Sequence, residues 1–198
     1  MANARLQIRS PIPGRLYALV LNRGTFSRII GAMNADAGQP RPTLSADDYR
    51  NAIGRFLTGV TVVTTQHAGQ LQGITASAVA SVSLQPPTLL ICLNRQSSTC
   101  RTLTTSGAFC VNVLADAQQA LGLRFASKTD DKFAGIEFLP GANGAPRIAG
   151  ALAQLECTVT SMHEAATHNV FFGTVTQAHV ADGQPLAYFR GSFTRLEA

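Results

Sequence analysis

The pattern of hydrophobic and polar positions along this chain changes period once, near Gly59. Before that point Ser45 stands where a helix cap belongs, Asp47 and Asp48 follow in the next turn, and Tyr49, Ala52, Ile53 and Phe56 recur at helical spacing. This predicts one amphipathic helix, with acidic side chains at the positive end of its dipole. After Gly59 the pattern becomes short runs rich in Val, Ile, Thr and Phe, residues that suit a pleated, half-buried surface. The predicted strands cover 60–65 (VTVVTT), 73–84 (GITASAVASVSL), 87–94 (PTLLICLN), 108–114 (AFCVNVL), 152–165, 168–182 and 185–196. A polar turn spans 66–70, and Ala181, Asp182 and Gly183 read as a hairpin between the last two long strands. Two short helices interrupt the series, one capped by Ser97 or Ser98 and stopped by Gly107, the other running from 116 to about 126. Six or seven strands with few helices predict a mainly β fold, a closed or nearly closed antiparallel barrel.

Composition narrows this picture only slightly. At 198 residues and 45% hydrophobic content the chain has the material for one domain with its own core. Its most apolar run, 86–93, has the length of a buried strand, so no membrane span is expected. The stretch GQPRP at 38–42 breaks both helix and strand, which predicts an N-terminal extension and linker over 1–42, poorly ordered, and a domain over 43–198. The formal net charge of +5 sits mostly in that extension, where Arg5, Arg9, Arg15, Arg23 and Arg28 face Asp36 alone. The nearly neutral body has no electrostatic footprint for a phosphate backbone, so nucleic acid is not an expected partner. An Arg-rich, acid-poor segment without an apolar stretch does not read as a secretory signal; it reads as a plain extension or as an organelle transit peptide. Cys92, Cys100, Cys110 and Cys157 lack zinc spacing and three lie in apolar runs, which predicts buried free thiols and a cytoplasmic location.

Candidate chemistry concentrates in two places. Within 73–83 the side chains are small or hydroxylic almost throughout, so backbone N–H groups are open to a flat ligand, with Thr75, Ser77, Ser81 and Ser83 as hydroxyl partners. An isoalloxazine ring needs such a surface, with donors facing the atoms that gain negative charge on reduction; an ordinary strand with its hydroxyls in solvent has the same composition. Downstream, Asn94, Arg95, Gln96, Ser97, Ser98 and Thr99 join the most apolar strand to a helix N-terminus, where hydroxyls, dipole and a guanidinium suit a phosphate, or simply a capped helix. Neither a GxGxxG nor a GxxxxGK[ST] run is present. His67 and His179 read as surface side chains, His163, Glu164 and His168 offer no fixed metal geometry, and no serine elbow or Cys/His pair supports nucleophilic catalysis.

The run GITASAVASVSLQPPTLLICLNRQSSTCRTLTTSGAFCVNVLA, followed by RFAS, KFAGIEF, GAPRIAGALAQLECTV, HEAATHNVFFGTV and PLAYFRGSF, resembles the short-chain flavin reductase family over roughly 45–196. These are the reductase components of two-component flavin monooxygenases. The resemblance implies an FMN-binding split barrel, a homodimer, and hydride transfer from NADH or NADPH to FMN or FAD, with the reduced flavin passed to a partner monooxygenase. It places Thr75, Ala76, Ser77 and Ala78 along the isoalloxazine with Ser81 and Ser83 nearby, and Asn94, Ser97, Ser98 and Thr99 at the ribityl phosphate. It places Phe125, Lys132 and Phe133 near the phosphate or the adenine of a dinucleotide, and Tyr188 and Arg190, within the YFRG motif, at the closure of the site. His168 is then the catalytic candidate, a positioning residue at the nicotinamide. Family members commonly carry Gly-Asp before that histidine, where this chain has Ala166 and Thr167. The apolar residues Val170, Phe171 and Phe172 are expected to be covered by a second subunit. Two rivals are a flavin-holding split-barrel module, an electron carrier or sensor without nicotinamide turnover, and a related oxidase of a vitamin B6 phosphate. The latter substrate needs a denser Arg/Lys cluster than this chain has.

Overall fold

The computed structural model describes residues 43–129 and 131–196, together with the backbone of two short strands, β1 (Leu6–Arg9) and β2 (Leu16–Leu19), which pair antiparallel. The remainder of the predicted extension and linker lies outside the described residues. The chain divides into two compact units, 1–48 and 49–198. Helix α1 (Ala46–Ile53) begins as its sequence requires: the Ser45 hydroxyl accepts the Asp48 N–H at 3.0 Å, a side-chain cap on the first turn. It ends at Ile53, short of Phe56, because Gly54 and the turn after it close the last carbonyls.

The main body is one sheet of seven antiparallel strands, in the order β5 (Gln70–Ala76), β4 (Thr61–His67), β8 (Ala108–Val113), β11 (Ala153–Ala165), β12 (His168–Val180), β7 (Pro87–Asn94), β6 (Val79–Leu84). The first and last of these, β5 and β6, are joined by Ser77 and Ala78 alone. Two residues cannot bridge the width of a seven-stranded sheet, in which neighbouring strands lie about 4.8 Å apart, so the sheet curls until its edges meet. The result is the expected barrel, split along a seam at Ser77 and Ala78. The reading of 73–84 as one strand is thereby corrected. The Val79 N–H donates to the Ser77 carbonyl at 3.0 Å, a tight three-residue turn that sends the chain from one edge to the other.

Two further expectations change at the C-terminal end. The predicted strand 185–196 is a hairpin, β13 (Ala187–Phe189) and β14 (Ser192–Thr194), because Arg190 and Gly191 take φ values of +50° and +84°, the geometry of a two-residue turn. The residues 181–183 do not form a hairpin with β12. They lead out of the large sheet, and β13 pairs instead with β14 and with β3 (Thr58–Gly59) in a three-stranded sheet.

Three short elements complete the body. Helix α2 (Ser98–Ser106) is capped by Ser97 and stopped by Gly107 in the left-handed conformation, and α3 (Gln119–Ala126) follows a 3-10 turn at Asp116–Gln118. Strands β9 (Phe138–Pro140) and β10 (Pro146–Ile148) form a small hairpin. Strand β4 is buried on both faces. Val63 joins Ile91, Leu93, Phe109, Val111 and Phe171 inside the barrel, with Leu103 of α2, while Val62 joins Leu114, Phe125, Ile148 and Leu186 in a second cluster that α3 helps to cover. Phe171 is only 1% exposed, so it belongs to the barrel core rather than to an apolar outer face. Successive residues on a strand point to opposite sides, and Val170 and Phe172 are the half-buried ones.

Candidate active site

The curling that brings β5 and β6 together also leaves a pocket of about 220 Å³ at their junction, lined by Ile74, Thr75, Ala76, Ser77, Ala78, Cys92, Leu93, Asn94 and His168. The walls are low because β5 ends in small residues. The Ser77 and Ala78 carbonyls are taken by the Val79 and Cys92 N–H groups at 3.0 Å each. Among the described residues, the N–H groups of Ser77 and Ala78 themselves have no acceptor, which leaves two adjacent main-chain donors on the pocket rim. Thr75 donates its hydroxyl proton to the Gly122 carbonyl at 2.6 Å and so presents to a ligand only acceptor capacity and its methyl group.

His168 enters this pocket by register. It is the first residue of β12, paired directly with Asn94, the last residue of β7. Its Nδ1 lies 2.9 Å from the Thr167 hydroxyl, so Nε2 is the nitrogen left for a ligand. Thr167 thus supplies the imidazole's hydrogen-bond partner.

A second, larger cavity of about 1050 Å³ adjoins the first, the two sharing Ile74 and Asn94. One wall is the start of α2: Ser97, Ser98, Thr99 and Arg101. The Ser97 hydroxyl accepts the Cys100 N–H at 3.1 Å and donates to the Asn94 carbonyl at 2.8 Å, and Asn94 Oδ1 accepts the Gln96 N–H at 2.8 Å. This network fixes the turn while the Ser98 and Thr99 N–H groups at the end of the helix remain for an anion. The opposite wall is 126–129 and 131–133 and contributes Ser127, Lys128, Thr129, Asp131, Lys132 and Phe133. Lys132 is only partly available: its ammonium donates to the Phe125 carbonyl at 2.9 Å and the Gly73 carbonyl at 3.3 Å, and burial pulls its pKa down.

The structure therefore gathers Thr75, Ala76, Ser77, Ala78, Asn94, Ser97, Ser98, Thr99, Lys132, Phe133 and His168 along one trough. Five other candidates do not line it. Phe125 is fully buried below the trough, its ring edge-on to Phe133 with centroids 5.1 Å apart. A Cβ on Gly73 would lie 2.5 Å from Phe125 Cε1, so the small residue at 73 is a packing requirement of the trough's floor. Ser81 is exposed on β6, and the Ser83 hydroxyl is engaged with the backbone of Gln85 at 3.1 and 3.2 Å. Tyr188 packs edge-on against Phe193, and Arg190 sits in the β13–β14 turn. Arg95, the charge singled out in the phosphate turn, is bound to Glu164 at 3.0 Å and stays out of both cavities; Arg101 takes its place. Arg101 follows the capping Ser97 by four residues, one helical turn, and that spacing was the legible signal for it.

Main-chain donors beside a small pocket, joined at Ile74 and Asn94 to a hydroxyl-rich, cationic cavity at a helix N-terminus, can hold an aromatic ring system with a phosphorylated tail. Comparison with known proteins gives the chain's family. The family described as "Flavin reductase like domain" matches residues 53–197. The reductase subunit HsaB of a flavin-dependent monooxygenase from Mycobacterium tuberculosis (strain ATCC 25618 / H37Rv) is 40% identical over 152 residues, covering 75% of this chain and 81% of that protein. The reductase component of a 4-nitrophenol 4-monooxygenase/4-nitrocatechol 2-monooxygenase from Rhodococcus opacus is 39% identical, with 76% and 80% covered. Among solved structures, the NADH:FAD oxidoreductase SgcE6 of Streptomyces globisporus C-1027, in complex with NAD and FAD fragments, superposes with a TM-score of 0.74 at 34% identity, over 79% of this chain and 98% of that one. This chain belongs to the flavin reductase like family.

Proposed function

We propose that the protein is an NAD(P)H-dependent flavin reductase that passes hydride from NADH or NADPH to FMN or FAD and supplies the reduced flavin to a partner monooxygenase. The observation that carries this reading is the pair of open main-chain donors at Ser77 and Ala78 beside the cavity at the start of α2. A bound flavin supplies the hydride-accepting ring. The chain's own part is placement. Ser77 and Ala78 N–H groups stabilise the negative charge the ring gains; the short side chains of Ala76 and Ala78 let the ring approach the backbone. Asn94, Ser97, Ser98, Thr99 and Arg101 hold the phosphate, and His168 Nε2 holds the nicotinamide in position. The larger cavity, with Lys128 and Phe133 on its far wall, has room and partners for a second phosphate and a base, so FAD binds more tightly than FMN.

Steady-state oxidation of NADH and NADPH, each with riboflavin, FMN and FAD, tests the proposal. Turnover that rises with added flavin, with the lowest KM for FAD, is the expected result. A protein that binds flavin and turns yellow but leaves NADH unoxidised is the electron-carrier or sensor module instead.

A homodimer and a cytoplasmic setting complete the reading. Tyr49, Ile53, Phe56 and Leu57 are 47–71% exposed and adjoin the β13–β14 hairpin, whose Arg190 N–H donates to the Gly54 carbonyl at 2.9 Å. A second copy covering this face removes it from water. All four cysteines are free, as a reducing compartment favours. Sedimentation showing a monomer at micromolar concentration would dismiss the dimer.

A further inference from the structure

The tip of the β11–β12 hairpin is strained and is tied down from outside. Ala165 pairs with His168 across a two-residue turn of Ala166 and Thr167, and Ala166 has a φ of +51°. A residue with a Cβ is disfavoured in that left-handed region, so this turn does not hold its shape on local preference alone. Two bonds come from the segment that follows β7. The Arg95 N–H donates to the Thr167 carbonyl at 3.1 Å, and the Arg95 guanidinium pairs with Glu164 at 3.0 Å. Thr167 in turn holds His168 Nδ1 through its hydroxyl at 2.9 Å.

We infer that Glu164 is a positioning residue for the nicotinamide, acting through Arg95 and Thr167 on the orientation of His168; the inference rests on the reading of His168 given above. Arg95 is then no phosphate ligand. Its main chain and its side chain grip the hairpin at two points three residues apart, Thr167 and Glu164, which fixes the tip in rotation as well as in distance. The ring of His168 is thereby kept facing the pocket beside Ser77 and Ala78 while ligands come and go. Both side chains of the ion pair are about half exposed, at 45% and 61%, so the pair contributes little to the fold and its effect appears at the tip.

The test compares E164Q, R95Q, the reversed pair R95E/E164R and H168A, all in the full chain. E164Q and R95Q are expected to raise the KM for NADH about threefold, with kcat and the KM for FAD within twofold of the parent, and the reversed pair to recover most of the loss. Hydrogen exchange at Thr167 and His168 is expected to accelerate about threefold in E164Q. One molar NaCl should accelerate it in the parent and leave E164Q unchanged. If exchange at the tip is the same in E164Q and the parent, the inference is overturned whatever the kinetics. If H168A raises the KM for NADH but E164Q and R95Q leave it alone, the inference is overturned and the role of His168 stands. If H168A leaves that KM unchanged, the role of His168 falls, and the inference with it.

Discussion

Strand β11 carries two carboxylates, Glu156 and Glu164, each paired with an arginine, and they have opposite uses. Glu164 makes the shorter contact, 3.0 Å to Arg95, yet its side chain is 61% exposed. Glu156 lies 3.4 Å from Arg147 Nε and 3.6 Å from His179 Nε2, with a side chain only 2% exposed. The Arg147 contact is an ion pair by distance rather than a formed hydrogen bond, since Nε has no partner in good geometry. Glu156 is also bonded by the Asn143 N–H at 3.2 Å, and Asn143 Nδ2 reaches the Phe109 and Cys157 carbonyls at 2.9 and 3.1 Å. The β9–β10 hairpin is thus keyed into the sheet through a carboxylate that water does not reach. Distance ranks these two pairs one way and burial the other; burial decides, because removing one partner of a buried pair leaves the other's charge stranded, whereas solvent takes over at the surface.

The contrast can be broken most directly by truncation. Glu156→Ala should cost about 3–5 kcal/mol in urea unfolding, since it strands Arg147, whose side chain is 18% exposed. A loss below about 1 kcal/mol would put Glu156 in the same class as Glu164. A smaller effect concerns alkaline pH. Burial, followed by the neighbouring Glu156 charge, pushes the Cys157 thiol up to about 12, and burial with the same carboxylate raises Cys110 further across the ladder. Between pH of about 9 and 12 the folded chain keeps protons that the unfolded chain loses, so stability falls as pH rises through that window. Glu156→Gln should flatten this decline in urea midpoints measured at pH 8.5 and 10.5, and Glu164→Gln should not.

Relieving the left-handed turn is worth less again. Ala166→Gly should stabilise by a few tenths of a kcal/mol, because the removed strain, about 1 kcal/mol, is mostly offset by the freer unfolded chain. The smallest change belongs to Glu164→Ala, about 0.2 kcal/mol in the same unfolding measurement. A loss comparable to that of Glu156→Ala would show that exposure misleads on this strand.

How much of this the sequence disclosed varies with the kind of signal. Strand β7 and helix α2 were legible to the residue or nearly so, because Pro86 precedes the strand and Pro87 opens it, while Ser97 caps the helix and Gly107 ends it. The break at Ser77 and Ala78 was not: it carries neither glycine nor proline, and its cause is the sheet order, a property of residues far apart in the chain. Small residues and a capped helix pointed to two stretches of the trough, 75–78 and the turn from Asn94 to Thr99, whereas Lys132, Phe133 and His168 came from the family resemblance and the wall at 126–129 was not named in advance. That Arg95 does not face it was hidden, because Glu164, a partner from another strand, holds it away. Treating Val170, Phe171 and Phe172 as one face overlooked the alternation that every strand imposes.

On the proposed reading, a flavin at Ser77 and Ala78 touches β5 at one end of a ribbon seven strands wide and β7, the neighbour of the strand at the other end, and acts as a brace across them. A ligand held only by the joined state adds its binding energy to the barrel, about 2.7 kcal/mol when free flavin is a hundred times its Kd. A reductase that gives its flavin away at each turnover therefore alternates between a braced and an unbraced shell. Its resistance to heat and proteases would track the surrounding flavin supply.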